Sequence, residues 1–461
     1  MPVKFISVDR TTPYLLPPSI DEWLPGSHLA RFVADVVAQL DTSAIEKCYT
    51  GRGSDAWHPK MLISLLFYGY ATGVFSSRKL EQATHDSVAF RYLCANQHPD
   101  HDSIATFRRR FLNELESLFV QILHVGSEMG LIKLGHVSLD GTKMKANASK
   151  HKALSWAYAN KLEAQFEAEV KELMRLADKA DNSDLPDGFS IPEELEIREK
   201  RLSAIRDAKV KIEERAAERH ARDIAEYEAK VVKREAKEKA TGKKTRRAAP
   251  KRPEEGPRDK DQVNLTDEES RIMPTSGGGF EQTYNAQAGV DMDSMIVVST
   301  NLSNNPNDKR ELEPVVERLV ELPDSLGKVE TLVADTGYFS EHNVKVCEQH
   351  QINPLIAHGR QPHHPPLAER IAHAEATEKT DSDVPVQRMK NALKSEEGRA
   401  IYAKRKTTVE PVFGIIKHVM GFRQFSMRGL EKAKGEWSIV CMAWNIRRLF
   451  SLQATSSQSR R

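Results

Sequence analysis

Two short, largely apolar runs, Val137–Leu139 in HVSLDGTKMKA and Thr331–Ala334 in VETLVADTGYFS, each stop at an aspartate, Asp140 and Asp335, with Gly or Thr-Gly directly behind it. A run this short, closed by turn residues, reads as a buried strand ending at a ligand site. A third carboxylate, Glu410 in YAKRKTTVEPVFGIIK, lies in a basic, helix-like segment where Lys and Arg crowd it. That setting suits a metal ion and a polyanion. Taken singly, each aspartate reads as readily as an N-cap or turn former, and a lone Glu before Pro reads as solvated surface. The three together are the stronger signal.

At 461 residues the chain is long for one core, so two or three domains are expected. Lys and Arg number 68 against 66 Asp and Glu, a formal charge of only +2, so global charge does not establish a nucleic-acid partner. The distribution says more, because residues 231–260 carry twelve Lys and Arg against five Asp and Glu, and residues 401–450 are also basic. The cysteines Cys48, Cys94, Cys347 and Cys441 have no CxxC spacing, which suggests neither a disulfide framework nor a zinc ribbon and fits a reducing compartment. The most apolar stretch, Met61–Phe75, is too short to span a bilayer and no signal-peptide core is present, so a soluble, cytoplasmic protein is expected.

Residues 28–126 read as helices His28–Leu40, His58–Gly73, Ser77–Ala95 and Asp102–Val125, an all-α head expected to form a domain over 1–130. Asp102 or Ser103 is the expected N-cap of a helix bearing Arg108, Arg109 and Arg110. Such a helix suits DNA phosphates; a solvated face is the alternative. A long helical insertion follows at 149–262, with apolar periodicity in Leu162, Phe166, Val170, Leu173 and Leu176, a Pro and Gly break at 184–192, and a second run from Glu193 to about Glu238. This predicts an antiparallel helical hairpin. Its end, Ala240–Asp261, is expected as a flexible loop, with 263–279 as a linker. Beyond it come strands Tyr284–Val290 and Met295–Leu302, helix Lys309–Glu321, the strand ending at Asp335, helix Glu341–His350 and strand Pro354–His358. Residues 359–395 read as loop, helices resume through Arg448, and 453–461 is a tail.

This element order, with 131–148 and 280–452 as one catalytic domain, matches an α/β RNase H-like core, a mixed sheet flanked by helices. At roughly 100° per residue, Tyr402, Lys406, Glu410 and Lys417 fall at about 0°, 40°, 80° and 60°, one helical face. Pro411 predicts a kink or restart beside Glu410.

The motifs SLDGTKMKANAS, TYNAQAGVD, VADTGYFS and VEPVFGIIKHVMGFRQFSMRG resemble those of the DDE transposases of bacterial insertion sequences, over most of the chain from about Ser27 to Leu452. The family's Tyr, basic residue, catalytic Glu and Lys signature looks like Tyr402, Lys406, Glu410 and Lys417, while its commoner spacing would select Arg405. The resemblance implies Asp140, Asp335 and Glu410 as catalytic metal ligands, Mg²⁺ as cofactor with Mn²⁺ able to substitute, and double-stranded DNA, both element ends and target, as partner. It further implies binding of terminal inverted repeats, end cleavage, joining of 3′-hydroxyls to target DNA, and a homodimer or higher assembly. A nuclease without strand transfer and a catalytically inactive transposon-derived DNA-binding protein remain the competing readings.

Overall fold

The computed structural model describes residues 19–49, 56–179, 190–242, 248–275, 278–359 and 384–459. The chain divides into two units, one built from residues 1–144 and 284–461 and the other from residues 145–283.

The first unit is organised by five strands of a six-stranded sheet, β1 (Leu134–Lys145), β2 (Phe280–Asp291), β3 (Val297–Ser303), β4 (Gly327–Ala334) and β5 (Asn353–Ile356); the sixth, Arg271–Pro274, pairs antiparallel with Phe280–Thr283 and lies where a linker is expected. Their spatial order is β3-β2-β1-β4-β5. β2 and β3 form an antiparallel hairpin, whereas β4 pairs in parallel with both β1 and β5. Parallel neighbours need crossovers, supplied by helices Leu312–Val320 and Glu341–Gln349. This is the expected RNase H-like mixed sheet. β1 and β4 contribute fully buried Val137, Leu139, Leu332, Val333 and Ala334, as strands covered on both faces must.

The C-terminal helix Leu430–Ser459 covers that sheet, and between Trp437 and Leu449 almost every residue is buried. A helix apolar on every side has to lie inside. Its Asn445 side chain closes the otherwise open backbone of edge strand β3, accepting from Val297 N–H at 2.8 Å and donating to Val297 C=O at 2.7 Å.

The helical head shares this unit with the sheet instead of standing as a domain of its own. Helices Pro59–Thr72 and Leu112–Glu128 pack on the C-terminal helix. Two expected long helices are each broken once, into Ser77–Asp86 and Val88–Leu93 and into His101–Arg110 and Leu112–Glu128. The N-cap of His101–Arg110 is Asp100, not Asp102 or Ser103; its Oδ1 accepts from Ser103 N–H at 2.8 Å. The arginine row on this helix is not a uniform surface. Arg108 is buried, its Nη1 donating to the Tyr70 hydroxyl at 2.8 Å and to Phe75 C=O at 3.0 Å. Tyr70 donates in turn to Glu436, a fully buried carboxylate that also accepts from the N–H groups of Ser426 and Met427. Arg108 therefore compensates a buried charge and does not face DNA, whereas Arg109 and Arg110 are exposed.

The second unit holds the expected helical pair, Trp156–Lys179 and Ile191–Thr241. Ion pairs Glu169–Arg198, Glu163–Arg206 and Glu163–Lys209 fix their antiparallel register. Leu154, Ala159, Ile205, Ala208, Ile212 and Val263 form its core, with Trp156 packed against them. Residues 248–261, expected as a flexible loop, are instead tied back to the long helix: Arg219 pairs with Asp261 at 2.8 Å and donates to Gly256 C=O at 3.1 Å. Residues 243–247 lie outside the described residues, as do His363, His364 and most of the expected 359–395 loop, whose end forms helix Pro385–Lys394. Among the described residues no helix is long and apolar enough to cross a membrane.

Removing one partner of a buried charge leaves the other uncompensated. Arg108→Ala is expected to cost ~3–5 kcal/mol of unfolding free energy in urea titration, and Arg109→Ala less than ~0.5 kcal/mol; equal effects would contradict this placement of Arg108.

Candidate active site

Asp140 and Asp335 become neighbours through parallel pairing. The register runs from His136↔Thr331 to Leu139↔Ala334, so the next residue on each strand is the aspartate. β4 ends there, and Asp335 caps the turn Thr336–Tyr338, its Oδ1 accepting from Gly337 N–H at 2.7 Å. Asp140 does not end its strand as expected: β1 runs on to Lys145, since its other neighbour β2 continues beside it. The Asp140 carboxylate accepts from Gly141 N–H at 2.8 Å.

Glu410 enters from the C-terminal segment. The helix Glu396–Ala403 tightens into a 3₁₀ turn at Lys404–Thr407 and restarts at Val409–Gly414. Pro411 sits in the first turn of the restarted helix, where its missing N–H costs nothing. The restart places Glu410 with its side chain 48% exposed, near the other two acids.

Arg405 lies between them. Its Nη1 donates to Asp140 Oδ2 at 3.3 Å and its Nη2 to Glu410 Oε1 at 3.2 Å, with the Arg405 side chain only 12% exposed. Of the two basic residues open from sequence, Arg405 is the one hydrogen-bonded to the acids. Arg405 also interacts with Tyr402 of the preceding helix, and Lys406 is exposed. Tyr402 packs against Met292, Val333 and Leu355; burial pushes its phenol pKa up and neighbouring Arg405 pulls it down. Lys417, in a π-helical turn at Ile415–Val419, reaches β1, where it donates to the Thr142 hydroxyl and to Lys143 C=O. Burial lowers its pKa.

Burial pushes the Asp140 carboxyl up to about 6; the Gly141 N–H and Arg405 oppose that rise, while the charges of Asp335 and Glu410 add to it. Three carboxylates thus share one electrostatic site, and Arg405 supplies the cation inside it. Among the described residues no three His, Cys, Asp or Glu side chains converge as they stand into an ion-binding group.

A second polar group next to these acids escaped the sequence reading. Asp308, on a 3₁₀ turn after β3, accepts from Asn285 Nδ2 at 2.6 Å, Gln287 Nε2 at 3.0 Å and Lys143 Nζ at 3.4 Å. Gln287 accepts in turn from the Tyr338 hydroxyl. The one signal was alternation of Asn285 and Gln287 within TYNAQAGVD, which puts both on one face of β2. Asp308 itself, in NNPNDKR, reads only as a turn residue.

Comparison with known proteins agrees with the resemblance. Residues 18–110 match the family model of the Transposase domain (DUF772), and residues 244–446 match that of the Transposase DDE domain. The second match includes Asp335 and Glu410; Asp140 lies outside both and is joined to them by the β1–β4 pairing. No curated protein and no solved structure matches the chain. Two transposase matches covering more than half of 461 residues, on an RNase H-like sheet, make this chain a member of the DDE-type transposases of insertion sequences.

Proposed function

We propose that this transposase binds the terminal inverted repeats of its own element, cleaves the ends and joins the freed 3′-hydroxyls to target DNA, acting as a homodimer or higher assembly. The observation that carries this reading is the Arg405 guanidinium between Asp140 and Glu410, with Asp335 adding negative charge beside them: the site is built around positive charge.

Asp140, Asp335 and Glu410 form an all-oxygen donor set, which suits hard Mg²⁺ or Mn²⁺ and calls for neither His nor Cys. Bound there, divalent ions would supply charge neutralisation at the transferring phosphoryl group. The protein contributes positioning. β1 carries Asp140 and β4 leads directly into Asp335, while Glu410 approaches from a separate helix. Arg405 neutralises the acids when no substrate is bound and is placed to meet a phosphate entering the same site. Lys417 is braced on β1, and Lys406, Arg109 and Arg110 are exposed cations for the DNA backbone. Tyr402 supports this wall from below by packing on β4 and β5.

The direct test is Mg²⁺- and Mn²⁺-dependent cleavage and strand transfer on duplexes carrying the sequences that flank the gene. Asp140→Asn, Asp335→Asn and Glu410→Gln are each expected to lower cleavage by more than about a hundredfold, while binding of the same duplex stays within about twofold of wild type. A variant that still cleaves with either metal removes its residue from the site. Wild-type binding without cleavage would favour the inactive DNA-binding reading.

The Asp140 carboxyl has a folded pKa of about 6, above the ordinary aspartate value of about 3.9. Folding therefore favours its protonated form, and the stability this contributes is present at low pH and lost as pH rises from about 4 to about 6, by ~2–3 kcal/mol. In metal-free urea titrations, Asp140→Asn is expected to be the more stable protein above pH 6 and to lose that advantage near pH 4. An Asp140→Asn difference that does not change with pH would refute this assignment.

A further inference from the structure

A glycine follows each acid at the sheet's end, directly after Asp140 and two residues after Asp335, and both glycines border the same third carboxylate. A Cβ on Gly141 would stand 2.4 Å from Gln287 Nε2 and 3.0 Å from Asp308 Oδ1, and a Cβ on Gly337 would stand 2.9 Å from Asp335 Oδ1 and 3.5 Å from Asp308 Oδ2. The missing side chain of Gly141 therefore leaves the room that Gln287 and Asp308 occupy, and that of Gly337 leaves room for the Asp335 carboxylate, with Asp308 in van der Waals contact beyond.

Asp308 in turn fixes its neighbours. Gln287 is fully buried; with its amide N–H committed to Asp308, its oxygen faces the Tyr338 hydroxyl and accepts from it. Tyr338 is the last residue of the turn that Asp335 caps, and it is also fully buried. Asn343 binds the two turns together, donating to Lys309 C=O at 2.8 Å and to Tyr338 C=O at 2.6 Å. On the other side Asp308 takes Lys143 of β1 and Asn285 of β2. Four segments that share no local sequence meet at this one carboxylate: β1 past Asp140, β2, the turn after β3, and the turn after β4.

We propose that Asp308 is a positioning residue of the phosphoryl-transfer site, holding the Asp335 turn, through Gln287 and Tyr338, in fixed placement against the strand of Asp140. The inference rests on the catalytic reading given above. The hydrogen-bond acceptor, not the negative charge, carries the role, because all three donors use one oxygen, Oδ1.

The full-length protein tests this with two readouts, cleavage rate at saturating end duplex and Mn²⁺ affinity by electron paramagnetic resonance. Asp308→Ala is expected to slow cleavage about ten- to a hundredfold and to weaken Mn²⁺ binding, with duplex affinity within about twofold, as sub-ångström misplacement of reacting groups does. Asp308→Asn, whose amide oxygen can take the same three donors, is expected to recover to within about threefold of wild type. Tyr338→Phe, which cuts the same chain further along, should slow cleavage, and its double variant with Asp308→Ala should be no slower than the worse single.

Equal loss in Asp308→Asn and Asp308→Ala would overturn the proposal by showing that the charge itself is needed. Wild-type rates in either Asp308→Ala or Tyr338→Phe would overturn it as well. Should Asp308→Ala fail to fold, Asp308→Asn and Tyr338→Phe decide the matter alone. A wild type that does not cleave would refute the catalytic reading, and the Mn²⁺ affinities of the variants would still judge the placement of Asp308.

Discussion

The parallel pairing of β1 with β4 is the constraint on which the site depends. It ends at Leu139↔Ala334 and so delivers two like-charged carboxylates to adjacent positions in a partly buried place. Charges brought together under burial repel and lose hydration, and the surrounding structure answers with local donors. Gly141 and Gly337 each give a backbone N–H to the aspartate before them, and Arg405 adds a full positive charge. Gly141 serves twice, since its missing side chain also admits Gln287 and Asp308.

The C-terminal segment shows how irregular helix aims side chains that regular helix could not. Between Glu396 and Val419 the backbone passes from α to 3₁₀, restarts as α, then widens to a π turn. The 3₁₀ turn brings Arg405 over Tyr402, the restart sets Glu410 at a helix beginning, and the π turn sends Lys417 to β1. Changes of helical type of this kind are frequent where function demands a fixed direction more than an ideal hydrogen-bond ladder. In the observed turn Arg405 is the partly buried side chain and Lys406 the exposed one.

That difference marks the limit of what the residues disclose before folding. The strands bearing Asp140 and Asp335, the hairpin of β2 and β3 and the paired helices of the second unit were legible because each rests on local periodicity and turn chemistry. The interruption at Pro411 was legible for the same reason. Arg108 was not, since three consecutive arginines look alike until Tyr70 and Glu436, distant in sequence, are brought to one of them. Arg405 and Lys406 were both open from sequence, one by family spacing and one by helical face, and only the fold brings Arg405 to Asp140 and Glu410. Asp308 was invisible because a turn former and a hydrogen-bonding hub have the same local sequence, and only the fold supplies its three neighbouring segments.

The same reasoning explains how a chain of near-zero net charge presents concentrated positive charge. In the second unit, acids and bases of the two helices pair across their seam at Glu163, Glu169, Arg198, Arg206 and Lys209, so much of the negative charge there is neutralised locally. Buried apolar contacts of the long helix end at Ala216; beyond it the helix has no fully buried side chain. A helix polar on all sides keeps its shape by pairs one turn apart, and Glu226–Lys230 and Arg234–Glu238 are of that kind. Arg219 ties the returning chain to it through Asp261 and Gly256. The start of the basic run, up to Thr241, is thus carried on the long helix, and residues 256 and 261 beyond it are anchored to that helix.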